Sequence, residues 1–77
     1  TSVEQVVEEK TLVNSINNFL YALPEYKRNI FICRYWYLFS IRDIAEKYKM
    51  SETKISTLLF RMRNKLKLHL EREGIYL

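Results

Sequence analysis

A chain of 77 residues, 48% of them apolar and with a single Gly and a single Pro, can bury the core of one small domain and not of two. Charged residues make up 29%, and no run approaches the ~20 consecutive apolar residues of a transmembrane helix, so neither disorder nor membrane insertion is expected. The formal charge is +4, and one Cys (Cys33) with one His (His69) excludes an internal disulfide and a four-ligand metal site. No cofactor or metal is expected, and a reducing cytosol is the expected compartment. The chain starts at Thr1 with no secretory-type leader, and residues 1–77 are expected to be a single domain cut from a longer protein.

Apolar residues recur at intervals of three and four with almost no Gly or Pro between them, which predicts an all-α fold of four helices. The first, over 3–22, opens with Ser2 as N-cap and Gln5 three residues on. It carries Val3, Val6, Val7, Val13, Ile16, Leu20 and Leu23 as its buried stripe. Pro24 then begins a second helix over 24–37, where its missing N–H leaves nothing unpaired. Ser40 with Asp43 caps a short third helix over 41–49, which buries Ile41, Ile44, Ala45 and Tyr48. Ser51 caps the fourth, over 52–73, whose stripe of Ile55, Leu58, Leu59, Met62, Leu66 and Leu70 is the clearest in the chain. Gly74 suits a left-handed ending, with Ile75 folding back onto Leu70.

Ile41–Phe60 fits a helix-turn-helix frame. Ala45 is the small residue at the crossing, and Ile44, Tyr48, Met50, Ile55 and Leu58 fill the wedge between the helices. The turn holds Lys49, which must either adopt positive φ at some cost or impose another turn geometry. At ~100° per residue, burying Ile55 and Leu59 turns Thr53, Thr57, Phe60, Arg61 and Asn64 outward. Lys54 and Lys65 lie beside them on one shoulder, and Ser56, Arg63 and Lys67 on the other. Lys54, Arg61, Arg63, Lys65 and Lys67 follow one another without an intervening acid, whereas residues 1–22 carry three Glu against one Lys. Such a face suits a polyanion: Arg can donate two bonds to guanine, and Thr, Ser and an aromatic ring can meet other base edges. The plainer alternatives are a solvated helix face and, for Phe60, cover for a neighbouring helix.

The remaining residues argue against catalysis. Cys33 in an apolar run is expected to be buried packing, and His69 to face solvent near the negative end of a helix dipole. Nucleophile, base and orienting group do not occur together, and no Gly-rich phosphate loop exists. The run Tyr35, Trp36, Tyr37, Leu38 and Phe39 is different: no helix face can bury five successive large residues, so some are exposed or meet a partner.

These pieces resemble region 4 of the bacterial sigma-70 family, in particular its extracytoplasmic-function type. The resemblance runs from Leu23 to Leu70 and rests on Leu23-Pro24 with Arg28, on SIRDIA (residues 40–45) and on RMRNKL (residues 61–66). It implies a cytoplasmic bacterial domain that recognises the minus-35 element of double-stranded promoter DNA, with the fourth helix in the major groove. RNA polymerase core is the implied second partner through its β-flap, and an anti-sigma factor a third. Base-reading positions carried over are Ser56, Thr57, Phe60 and Arg61, with Ser56 departing from an Arg often found there and Leu38 replacing a frequent Gly. Arg34, Ser40, Arg42, Thr53, Lys54, Arg63, Lys65 and Lys67 are candidates for phosphate contact, and Tyr35–Phe39 for the partner surface. Two alternatives stand behind this one. LuxR-type response-regulator domains share the middle of the pattern but not the Leu-Pro entry or the basic extension, and a sigma-like module could bind proteins without reading DNA.

Overall fold

The computed structural model describes residues 3–76, with side chains from Glu9 onward. Four helices follow in order: α1 (Val3–Ala22), α2 (Glu25–Tyr35), α3 (Ile41–Tyr48) and α4 (Glu52–Arg72). The expected Ser2 cap and the side chains of Gln5, Val3, Val6 and Val7 lie outside the described residues. No helix among the described residues is long and apolar enough to cross a membrane.

Ile30 and Cys33 of α2, Ile44 and Ala45 of α3, and Ile55, Leu59 and Met62 of α4 form one buried cluster. Leu23, Phe31, Ile41, Tyr48, Met50 and Leu58 pack around it half-buried. The expected stripes of α3 and α4 are therefore the observed ones, and Cys33 is packing as anticipated. The stripe of α1 needs correction. Its buried residues are Ser15 and Phe19, while Val13 is 54% exposed. The apolar arc of α1 is wider than its contact: one edge packs on the C-terminal half of α4 at His69, and the other lines a groove against α2.

Helix ends follow local chemistry. Pro24 serves as N-cap of α2 rather than as its first helical residue, and its carbonyl accepts from the Arg28 N–H at 3.0 Å. α2 stops at Tyr35, two residues short of the expected end, because the chain reverses through Leu38 at φ 58°. Tyr37 N–H reaches the Ile32 carbonyl and Phe39 N–H the Cys33 carbonyl, closing the loop before α3. At the other end of the molecule Gly74 adopts φ 79°, with Gly74 N–H on the Glu71 carbonyl and Ile75 N–H on the Leu70 carbonyl. Gly74 thus takes the left-handed conformation anticipated, and the two bonds close the helix end.

His69 also needs correction. It is not solvent-facing: its side chain is 28% exposed, and its Nε2 lies 3.0 Å from the Ser15 carbonyl and 3.2 Å from Glu73 Oε1. A carbonyl only accepts, so Nε2 carries the proton. The Phe19 ring packs against the imidazole, centroids 5.7 Å apart. α1 crosses α4 at this point, and the crossing partly covers His69.

Candidate nucleic-acid interface

Both helices of the expected helix-turn-helix are capped as their serines predict. Ser40 Oγ accepts from Asp43 N–H at 3.0 Å, and Ser51 Oγ from Lys54 N–H at 3.1 Å. Between them Lys49 takes the left-handed conformation, φ 55° and ψ 46°, with Met50 N–H bonded to the Ala45 carbonyl at 3.0 Å. Of the two options open for the turn, the chain adopts positive φ. Ile44 and Ile55 are wholly buried where the helices meet, and Ala45 lets them approach.

With Ile55 0% and Leu59 1% exposed, the opposite side of α4 is turned to solvent. Thr53, Lys54, Ser56, Thr57, Phe60, Arg61, Arg63, Asn64, Lys65 and Lys67 are all exposed. Phe60 at 57% covers no neighbouring helix. Among the described residues the one Lys or Arg paired with a carboxylate is Arg42, with Glu46, so no Lys or Arg on this face is neutralised by a described carboxylate. The four candidate base readers thus share one exposed stretch of α4, and the basic shoulders flank it.

The other candidate phosphate contacts are placed differently. Ser40 and Arg42 are exposed at the start of α3, Arg42 in a solvent-exposed pair with Glu46 at 3.7 Å. Arg34 is half-buried and donates from Nη1 to the Phe39 carbonyl at 3.0 Å, so it clamps the loop before α3. Arg63 donates to the Tyr35 hydroxyl, and its guanidinium stands 6.0 Å from the centre of the Phe60 ring.

All five residues of the aromatic run are exposed, from Phe39 at 39% to Leu38 at 79%. Tyr35 and Trp36 border an apolar groove of about 320 Å³ between α1 and α2, with Val13, Ile16, Leu20, Phe31 and Ile32. Tyr37 and Phe39 pair with each other on the far side of the turn, centroids 6.2 Å apart, and Lys47 stands over Phe39. Sequence reasoning missed the groove because it assigned Val13, Ile16 and Leu20 to the core. The available signal was that α1 and α2 carry more apolar positions than one helix contact covers. Behind α3, burial, the Cys33 thiol and Glu25 push the Tyr48 hydroxyl above its ordinary value and keep it neutral.

No curated protein and no solved structure matches the chain. The family model described as Sigma-70, region 4 does match, over residues 19–68, from the end of α1 through most of α4. It spans the whole helix-turn-helix, both serine caps and the basic stretch of α4. The chain therefore belongs to the sigma-70 region 4 family, a DNA-binding helix-turn-helix domain of transcription sigma factors.

Proposed function

We propose that this domain recognises the minus-35 element of a promoter by laying α4 in the major groove, and docks on the β-flap of RNA polymerase through the α1–α2 groove and its aromatic rim. The observation that carries the DNA half is the division of α4: Thr57 and Arg61 exposed on an acid-free face, Ile55 and Leu59 withdrawn into the core. Ser56, Thr57, Phe60 and Arg61 read bases, while Arg42, Lys54, Arg63, Lys65 and Lys67, with Ser40 and Thr53, meet phosphates. Arg34 serves the interface by holding the loop. The domain works by binding, not by catalysis.

The test is selection of bound duplexes from random DNA by polymerase holoenzyme carrying the full chain, followed by Arg61→Ala. If Arg61 pairs bidentately with guanine, the variant loses ~1–3 kcal/mol and its preference at one base pair. Equal loss on every sequence would make Arg61 a phosphate contact instead. The exposed aromatic run favours a second reading, a module that binds polymerase or an anti-sigma factor by its apolar surface alone. Reversing Arg61 and Lys65 to Glu separates the two: promoter transcription fails under the first and persists under the second. The family match favours the sigma reading over the LuxR-type alternative.

A further inference from the structure

Arg63 differs from the other cations of α4 in having a fixed neighbour. Its guanidinium donates to the Tyr35 hydroxyl, twenty-eight residues earlier in the chain, and lies against Phe60. Tyr35 is in turn held by Phe31, ring centroids 4.7 Å apart, and Phe31 packs on the core. Core, Phe31, Tyr35, Arg63 and Phe60 thus form one continuous row, ending on the exposed face of α4. Lys54, Lys65 and Lys67 have no side-chain hydrogen bond among the described residues. An Arg has five donors and no acceptor, so one bond to Tyr35 leaves the rest of the fork available.

We propose that Tyr35 is a positioning residue for DNA binding: its hydroxyl fixes the Arg63 guanidinium at the shoulder of α4, pre-oriented for a phosphate. The proposal rests on Arg63 being a phosphate contact, as argued above, and adds how it is held. An unrestrained Arg must be immobilised when DNA arrives, at a cost of about 0.5–1.5 kcal/mol per side chain, and Tyr35 meets that cost during folding. Tyr35 also lines the α1–α2 groove, so one side chain belongs to both surfaces of the molecule.

A double-mutant cycle tests this, with holoenzyme carrying the full chain, a duplex recovered by the selection above and a scrambled duplex of equal length. Tyr35→Phe keeps the ring, its contact with Phe31 and the groove lining, and removes only the acceptor. It should weaken binding about 2- to 12-fold on both duplexes, the immobilisation cost expressed as a ratio. Arg63→Ala should weaken both and flatten the log-log salt dependence by about 0.9, one phosphate fewer. In the Arg63→Ala background Tyr35→Phe should then change nothing. Additive effects, or a Tyr35→Phe variant that binds as well as or better than the parent while Arg63→Ala binds worse, would overturn the positioning role and leave the interface intact. An Arg63→Ala variant with unaltered affinity and slope would remove Arg63 from the interface and the positioning role with it.

Discussion

At the scale of single residues, the two non-Gly positions with positive φ among the described residues are informative. Lys49 and Leu38 sit at φ 55° and 58°, each at the point where a helix must end abruptly so that the next can begin. Left-handed backbone costs an L-residue roughly 1–2 kcal/mol, and Gly avoids it while losing about 0.4–1 kcal/mol through its freer unfolded chain. Lys49→Gly is therefore expected to stabilise the domain by about 0.5–1 kcal/mol, and Lys49→Val to destabilise it by about 1 kcal/mol. Urea unfolding checks both, as shifts in midpoint at constant slope. A lower midpoint for the Gly variant would contradict a left-handed residue at the turn. The sequence could pose this choice but not decide it. The deciding factors are the Met50-to-Ala45 backbone bond and the burial of Ile44 against Ile55, which join residues on both sides of the turn.

At the scale of elements, legibility tracked how many sides of a helix are covered. α4 was readable because its buried stripe runs unbroken from Ile55 to Leu70 and both its ends carry their own signals, Ser51 and Gly74. α1 was not, because one edge packs on α4 and the other lines a groove, and residue type cannot distinguish a packed Ile from a groove-lining one. The two-edged arrangement has a mechanical consequence. α1 is fastened to α4 chiefly by Phe19 and by the Ser15–His69 contact, both outside the buried cluster shared by α2, α3 and α4. Most of a helix's stability in a protein comes from such packing of its apolar face. Phe19→Ala, a loss of about 3–5 kcal/mol in a fully packed site, should thus release α1 first. Hydrogen exchange should show α1 amides losing protection while those of Ile44, Ile55 and Leu59 retain much of theirs. A uniform loss along the chain would mean that all four helices unfold as one unit. Because the groove has α1 as one wall, the same variant should also bind polymerase less well.

At the scale of the whole molecule, the domain is long rather than round, with extents of 44 × 23 × 19 Å. α4, about 32 Å at ~1.5 Å per residue, is the longest helix; its N-terminal half packs on α3 and its C-terminal half on α1. From Lys54 to Lys67 the axial rise is about 20 Å at ~1.5 Å per residue, against a major groove only ~12 Å wide. A rod that enters the groove at its N-terminus therefore leaves it before Lys67, and the later cations come over the phosphates at the groove's edge. Under the proposed reading this geometry separates the roles along the helix: specificity in the turns containing Ser56–Arg61, sequence-independent attraction beyond them. Engagement of about five phosphates gives a log-log salt slope near −4.5 for the holoenzyme-bound domain on its selected duplex. Lys67→Ala should then flatten that slope by about 0.9 without altering the order of preferred sequences, whereas Arg61→Ala should alter the order. A parent slope near zero would take the basic shoulders out of contact with DNA. A change of sequence preference in Lys67→Ala would place the C-terminal half of α4 inside the groove, and the rod would have to lie along the groove rather than across it.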